Sequence, residues 1–287
     1  MTVLMRALNL SNDFITWTST SPDYEGTYAP ESIQSDSAIV ISDTGGVTIT
    51  KRLPLEADHA LAVFCNESAA PWADSGAMSS GNFTVGNGTP DANQPGIIKA
   101  SIEFKLNGGL ADEQVIGPNN PTLFGVATIT MMAWIYTTDA PTTLGAVILR
   151  PREVLYSAGA GVALAIGLRS DRTPTSFGYN LTQTLSAGVV SMNAWHHLAG
   201  TYDGATLTTY VDGNIAGSAA DASGIDWGGA PGAAFPWIIG NTQEPDSINR
   251  RGFVGRVEDA RIITRVLSLS ELQDVVARGF LASAVSP

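Results

Sequence analysis

Two Asp-Gly dipeptides constrain what this chain can fold into more than any other feature. Asp203-Gly204 and Asp212-Gly213 follow the runs 195–202 and 205–211, which are rich in aromatic and β-branched residues. Asp and Gly both tolerate the positive φ angles that tight hairpin turns need. The pattern therefore predicts two antiparallel strands joined by a short turn, followed at once by a second turn of the same kind.

Short apolar runs bounded by Gly, Asn, Ser and Pro recur along the chain. The strongest runs are 127–136, 145–149, 161–168, 175–181, 237–240 and 252–263. Charged residues make up only 15% of the 287 residues, against about 25% in an average soluble domain. Many short strands at regular spacing predict an all-β protein, built as a β-sandwich.

One helix is predicted, close to the C-terminus. Ser268 and Glu271 have the spacing of a capping box, in which each side chain bonds the backbone amide of the other. The apolar residues that follow on one face are Leu272, Val275 and Val276. Gly279 stands where a helix stop is expected. We expect one short helix at the edge of the sandwich.

Residues 1–56 are interpreted as an N-terminal β extension ahead of a larger domain over 57–287. Strand-like runs alternate there with turn residues, but apolar residues are few. Such a segment cannot bury enough surface to offset its ordering entropy, so we expect it to anchor the chain on the sandwich, on sister subunits or on a larger particle. The residues expected to make these assembly contacts are Phe14, Trp17, Ile39 and Ile41.

The net charge of −12 narrows the range of partners. An acidic chain repels nucleic-acid phosphates and anionic membrane surfaces, so neither is expected as a partner. No apolar run reaches the roughly 18 residues of a transmembrane helix, and the first residues do not resemble a signal peptide. The single cysteine, Cys65, excludes an internal disulfide bond and a multi-cysteine zinc site.

Four segments, in order along the chain, match one known pattern. The central segment is 195–204 with Tyr210-Val211-Asp212-Gly213, and the others are 128–136, 238–241 and 253–272. Together they resemble laminin-G-like domains of the concanavalin A-like lectin/glucanase superfamily, over about residues 57–280. The resemblance implies a concanavalin A-like jelly-roll sandwich with one short C-terminal edge helix.

The resemblance makes a search for an active site necessary, because the fold includes glycosidases and lyases. Retaining glucanases of this fold carry spaced carboxylates on one strand, close enough for double displacement. The nearest approach here, Glu244-Pro245-Asp246, lacks the further Glu, and Pro245 disfavours an interior strand. Adjacent His196 and His197 would point to opposite faces of a strand, so we interpret both as structural. No catalytic residue is predicted, and we expect the chain not to be an enzyme.

Calcium is the one cofactor that the resemblance implies. Laminin-G-like domains often hold Ca²⁺ between an N-terminal loop and the closing strand, and the matching residues here are Asp74 and Asp259. Calcium takes six to eight oxygen ligands, so backbone carbonyl groups would have to complete the site. The alternative is that Asp74 caps a turn and Asp259 pairs with a nearby arginine.

Tryptophans beside Gly- and Pro-rich stretches are candidates for a ligand or interface surface. They are Trp72, Trp227 and Trp237. Exposed aromatic rings stack on sugars and anchor protein interfaces. The alternative is that each ring fills one end of the sandwich.

Three functions fit this sequence. They are a non-catalytic module that binds glycan or protein, a structural protein of a large assembly, and a polysaccharide-degrading enzyme, which the missing carboxylate pair disfavours. Domains of this type usually act outside the cell, whereas the chain shows no export signal. A virion surface protein is made in the cytoplasm and acts outside the cell, which would explain the missing export signal. We therefore expect a phage decoration, fibre or tail-attachment protein. Its partners would be capsid or tail proteins, sister subunits and cell-surface glycans, and the alternative is a stand-alone lectin-like module.

Overall fold

The structure of the chain is a computed structural model. It describes residues 82–98, 100–105, 113–118, 123, 125–141, 144–151, 161–228, 236–240 and 252–283, together with the backbone of short strands before residue 74.

In chain order, the strands up to residue 105 are β1 (Leu4–Arg6), β2 (Ile15–Thr18), β3 (Glu25–Tyr28), β4 (Ile39–Ser42), β5 (Thr48–Lys51), β6 (His59–Val63), β7 (Trp72–Ala73), β8 (Asn82–Asn87), β9 (Asp91–Pro95) and β10 (Ala100–Phe104). The later elements are β11 (Gln114–Ile116), β12 (Ile129–Thr137), β13 (Leu144–Pro151), β14 (Val162–Arg169), β15 (Pro174–Phe177), β16 (Trp195–Tyr202), β17 (Thr206–Val211), β18 (Asn214–Ala220), β19 (Ile238–Ile239), β20 (Gly255–Ile263) and the helix α1 (Leu269–Ser283).

The described strands form two large antiparallel sheets. The eight-stranded sheet has the order β18-β17-β16-β12-β20-β10-β9, with β6 also paired to β20. The seven-stranded sheet has the order β15-β14-β13-β19-β11-β8-β7. The predicted all-β sandwich is confirmed, and the described residues include one short helix.

Both predicted hairpin turns form. The first joins β16 to β17, where Gly204 has a φ of 96° and Asp203 Oδ1 accepts the Ala205 amide at 2.8 Å. The second joins β17 to β18, with φ of 50° at Asp212 and 73° at Gly213. In the second turn, positive φ at both central residues gives the backbone geometry that matches the twist of paired strands.

The core lies between the two sheets and follows the alternation of each strand. Ile135 and Leu198 of the eight-stranded sheet share a buried cluster with Leu164 and Ile166 of the seven-stranded sheet. The intervening residues of β12 point to the opposite face, because successive strand side chains alternate. The sandwich core therefore takes only one face of β12, and its other face remains for the helix.

Helix α1 covers part of the outer face of the eight-stranded sheet. Leu272 and Val275 pack in one cluster with Met132, and Val276 packs with Trp134. The predicted capping box is present: Glu271 Oε2 accepts the Ser268 amide at 2.8 Å, and Ser268 Oγ accepts the Glu271 amide at 3.3 Å. No helix among the described residues is long and apolar enough to cross a membrane.

The predicted helix stop at Gly279 is wrong, because α1 continues through it to Ser283. A β-carbon built on Gly279 would overlap the indole ring of Trp134. The glycine serves close helix–sheet packing and not a left-handed C-cap.

A β-bulge in β20 sets the register of this strand with its neighbours β12 and β10. Arg261 stands opposite Met132, but the pairing shifts so that Glu258 stands opposite Trp134. Between them, Asp259 adopts a φ of 53°, which Asp tolerates better than most non-glycine residues. Beyond the bulge, Arg256 stands opposite a residue of β12 on one side and a residue of β10 on the other.

Candidate functional site

One row of side chains crosses five neighbouring strands of the eight-stranded sheet. Trp195 of β16 stands opposite Tyr136 of β12, which stands opposite Arg256 of β20. Arg256 stands opposite Glu103 of β10, which stands opposite Asp91 of β9. Directly opposed residues project from the same face of a sheet. We call these five residues the cross-strand row.

Direct contacts join the members of the row. The rings of Trp195 and Tyr136 have centroids 5.5 Å apart with an interplanar angle of 55°. The guanidinium of Arg256 lies 5.3 Å from the centre of the Tyr136 ring, and its Nε donates to Glu103 Oε1 at 3.3 Å. Lys105 binds Asp91 and places its Nζ 3.6 Å from Glu103. The row therefore passes from aromatic rings to paired charges.

The row lies beside the helix and remains partly exposed. Met132, Trp134 and Tyr136 share one face of β12, and the helix covers the first two. Tyr136, at the end of this stripe, keeps part of its surface in solvent, as do the other four members of the row. Trp195 packs partly against the Trp134 cluster, which restricts its ring.

The far end of the row is fixed by Glu258. Its carboxylate accepts the amide of Ile97 at 2.6 Å and the amide of Ile98 at 3.2 Å, in the turn between β9 and β10. A β-carbon at Gly96 would overlap this carboxylate. These bonds hold the β9–β10 hairpin against β20, and so place Asp91 and Glu103 in line with Arg256.

The dimensions and chemistry of the row suit an extended polar ligand. Five strands about 4.8 Å apart give a row of about 19 Å. Aromatic faces bind the apolar faces of sugar rings, while guanidinium and carboxylate groups bond hydroxyl groups. Sequence reasoning missed this row, because Glu103, Tyr136, Trp195 and Arg256 are distant in the chain.

Trp227 and Trp237 are not on the surface. They retain 7% and 2% exposure, and their rings meet edge to face with centroids 6.4 Å apart in the main core. The prediction that these two rings are exposed for stacking is wrong, because both rings pack among the apolar side chains between the two sheets. Trp72 begins strand β7, and its side chain lies outside the described residues.

Arg150 packs beside this tryptophan pair. Its guanidinium lies 5.1 Å from the centre of the Trp227 ring, and Nη1 donates to the Trp227 carbonyl at 3.3 Å. Burial lowers the pKa of Arg150 to about 10, so the side chain remains a cation at neutral pH. The arrangement is a buried cation–π contact that holds the Trp227 loop to β13.

The adjacent histidines point to opposite faces, as the strand pattern predicts. His197 is buried under the helix, with its ring edge-to-face on Trp134 at 5.2 Å. Burial, with a smaller contribution from Arg261, lowers the pKa of His197 to about 3. It is therefore neutral at physiological pH and belongs to the packing between sheet and helix.

His196 takes part in a hydrogen-bonded chain at the rim. Its Nε2 lies 2.7 Å from Ser191 Oγ and its Nδ1 lies 2.8 Å from Asp212 Oδ2. The connectivity is that of a Ser-His-Asp triad. Asp212 Oδ1 also accepts the His197 amide at 2.8 Å. The chain thereby ties the turn before β16 to the second hairpin turn.

The carboxylates of the described strands are engaged in internal contacts. The strands of the seven-stranded sheet contain no Asp or Glu within their described bounds. In the other sheet, Asp91 and Glu103 pair with cations, Glu258 binds two amides, and Asp259 binds Arg261. Each carboxylate of this described set is therefore held by a cation or by backbone amides. Glu244 and Asp246 lie outside the described residues.

Comparison with models of protein families identifies the superfamily to which this fold belongs. Residues 107–273 match the model of a laminin-G domain family described as concanavalin A-like lectin/glucanases superfamily. The chain belongs to the concanavalin A-like lectin/glucanase superfamily. A comparison with curated proteins finds no match.

Solved structures share the fold at low sequence identity. Domain 4 of an extracellular arabinanase from Geobacillus stearothermophilus, solved with arabinotriose, has a TM-score of 0.58 and 15% identity, covering 77% of this chain and 98% of that one. A sialidase from Trypanosoma rangeli has a TM-score of 0.56 and 15% identity, covering 88% of this chain and 36% of that one. The binding domain of Paraclostridial Mosquitocidal Protein 1 has a TM-score of 0.53 and 17% identity, covering 76% of this chain and 52% of that one. The chain thus spans only about a third of the sialidase, and these likenesses show the fold alone.

The predicted calcium pair receives little support from Asp259. Both of its oxygens accept from Arg261, at 2.6 and 2.7 Å. Burial raises the pKa of Asp259, and the guanidinium partly offsets that rise. A calcium ion would have to displace this guanidinium, so the carboxylate fits the role poorly. Asp74 lies outside the described residues, and among those described no group of three or more metal-binding side chains occurs. The calcium assignment stays a prediction.

The predicted assembly residues fall in the N-terminal strands. Trp17 is in β2, while Ile39 and Ile41 are in β4; Phe14 and all side chains of this region lie outside the described residues. The described strands β1, β2 and β3 pair with one another, and β4 pairs with β5. The anchoring role of these residues stays a prediction.

Proposed function

We propose that this chain is a non-catalytic binding protein whose cross-strand row recognises a glycan. The observation that carries the proposal is the alignment of two partly exposed aromatic rings, Trp195 and Tyr136, with the polar groups of Arg256 and Glu103 on one face. Stacking supplies affinity for a sugar ring, and flanking hydrogen-bonding groups orient it. The arabinanase domain, which shares this fold, was solved in complex with arabinotriose, and that complex supports a sugar as the ligand.

The absence of catalysis is part of the proposal. A glycosidase needs two carboxylates free to transfer a proton and to attack or activate water. The strand carboxylates described here are committed to guanidinium, ammonium or amide partners. Their arrangement supports a role in shape and binding. A polysaccharide-degrading enzyme is therefore the least supported alternative.

We further propose that the protein acts at a virion surface, as a phage decoration, fibre or tail-attachment protein. In this arrangement, residues 1–56 would join capsid or tail proteins and sister subunits, and the sandwich would present the row to cell-surface glycans. The separate pairing of β1–β3 and of β4–β5 supports an N-terminal unit distinct from the sandwich sheets. A stand-alone lectin-like module with the same row is the alternative, and co-sedimentation of the full chain with phage particles separates the two.

The glycan proposal is tested by replacing Trp195. On a glycan array followed by calorimetry, the full-length protein should bind at least one oligosaccharide, and Trp195→Ala should weaken that binding by about tenfold or more. The matched control is Tyr179→Ala. Tyr179 is an aromatic residue that is 59% exposed, and its backbone amide donates to the Val162 carbonyl of the seven-stranded sheet, which does not contain the row. Equal affinity of wild type and Trp195→Ala would overturn the proposed site.

A further inference from the structure

The charged half of the cross-strand row is neutral when Lys105, which contacts two of its carboxylates, is counted with it. Arg256 donates to Glu103 at 3.3 Å, and Lys105 binds Asp91 with its Nζ 3.6 Å from Glu103. Two cations thus stand against two carboxylates. A sugar carboxylate or sulfate would have to displace one of these partners, whereas a hydroxyl group donates to a carboxylate or accepts from a guanidinium beside the existing pair.

The net charge of the whole chain also disfavours an acidic ligand. A net charge of −12 repels polyanionic ligands at long range. Local pairing and overall charge therefore both disfavour acidic glycans, and neither disfavours uncharged ones.

The order of the row defines the direction of the ligand. Two rings tilted by 55° occupy one end, and the guanidinium and carboxylate groups follow on the next strands. A row of about 19 Å exceeds a single sugar ring. A chain of sugars lying across the strands would meet the aromatic end first and the charged end only when it is long enough.

Resting on the proposed function, we infer that the row binds an uncharged linear oligosaccharide that lies across the strands. Its first rings stack on Trp195 and Tyr136, and the later units bond Arg256 and Glu103 through their hydroxyl groups. The aromatic end supplies binding for every length of ligand, and the charged end adds binding only for longer ones.

A length series tests the order of the row. Neutral gluco-, manno- and arabino-oligosaccharides, from mono- to tetrasaccharide, are titrated into the full-length protein. Affinity should rise with length, Trp195→Ala should weaken all lengths, and Glu103→Gln should weaken the tetrasaccharide by roughly fivefold while leaving the disaccharide unchanged. Equal binding of mono- and tetrasaccharide, or equal loss for both lengths in Glu103→Gln, would overturn the inference.

A charge series tests the neutrality of the ligand. The uronate form of the bound tetrasaccharide should bind roughly tenfold or more weakly than the neutral form. Glu103→Gln should narrow this difference, because Arg256 then has no carboxylate beside it at this register position. The control is Asp274→Asn, which changes the net charge equally at an exposed position of the helix.

The two proposals fail in different ways. If no glycan binds at all, the proposed function fails and this inference fails with it. If the uronate binds more tightly than the neutral sugar, and Trp195→Ala abolishes that binding, the glycan site stands and the inference of an uncharged ligand is overturned.

Discussion

Gly279 of the helix lies directly against the indole ring of Trp134, so closely that a β-carbon at position 279 would overlap the ring. Trp134 is fully buried and belongs to the stripe of β12 that ends in Tyr136. The contact therefore sets the distance between α1 and the sheet. It thereby also sets the position of the helix beside the cross-strand row.

Gly279→Ala should destabilise the protein, by about 1–3 kcal/mol, because the added methyl overpacks a filled interface. In an ordinary helix interior the same change stabilises by about 0.5–1 kcal/mol, so the sign of the change is the test. Denaturant unfolding measures it. Ala277→Gly, at an exposed helix position, is the propensity control and should cost about 1 kcal/mol. A stabilised Gly279→Ala variant would contradict the packing described here.

His197 should make the fold sensitive to acid. The unfolded side chain titrates near pH 6.5, whereas burial lowers its folded pKa to about 3. As the pH falls from 6.5 towards 3, the unfolded state takes up the proton first, so the free energy of unfolding falls, by about 2 kcal/mol at pH 5. Urea unfolding at pH 7 and pH 5 should show a shallower loss for His197→Gln than for wild type. An identical loss of unfolding free energy between pH 7 and pH 5 in the two proteins would exclude a contribution from His197.

Turnover should be undetectable on a panel of neutral and acidic polysaccharides, because the described strand carboxylates are committed to internal partners. The Ser191–His196–Asp212 chain is the one described place with triad connectivity, so ester substrates belong in the same panel. Reproducible hydrolysis that is lost in Ser191→Ala, or in a Glu244 or Asp246 variant, would show that the protein is an enzyme.

Calcium tests the metal prediction directly. If Asp74 and Asp259 share an ion, added Ca²⁺ should raise the melting temperature, since a ligand that binds only the folded state stabilises it. The same melts with chelator, and with Asp74→Asn, supply the comparison. Identical melting temperatures with Ca²⁺ and with chelator would contradict a shared ion.

The N-terminal extension should be needed for assembly and not for glycan binding. Full-length chains carrying Trp17→Asp or Ile41→Asp should bind oligosaccharide like wild type but fail to co-sediment with phage particles, because a buried charge disfavours an apolar contact. Deletion of residues 1–55 is the stronger version, with circular dichroism to verify that the sandwich remains folded. If the truncated chain assembles as well as the whole one, residues 1–55 are not the anchor.

The candidate site shows where sequence reasoning ends. Tyr136 and Trp195 stand at the end of one predicted strand and the start of another, and the alternation Met132, Trp134, Tyr136 marks one face. Nothing local, however, brings Arg256 and Glu103 beside them. That alignment depends on the register of β20 with two strands at once, which the bulge at Asp259 sets.

The sequence by itself determined the features that depend on neighbours in the chain. These are the Asp-Gly turns, the Ser268–Glu271 capping box and the strand alternation, because each rests on backbone preferences that act over a few residues. The four motifs, taken in order along the chain, also predicted the superfamily. Tertiary structure alone decided the inward rotation of Trp227 and Trp237, the passage of the helix through Gly279 and the formation of the cross-strand row. Each of these depends on which surfaces meet when distant segments pack, and a steric or register constraint of that kind has no local signature.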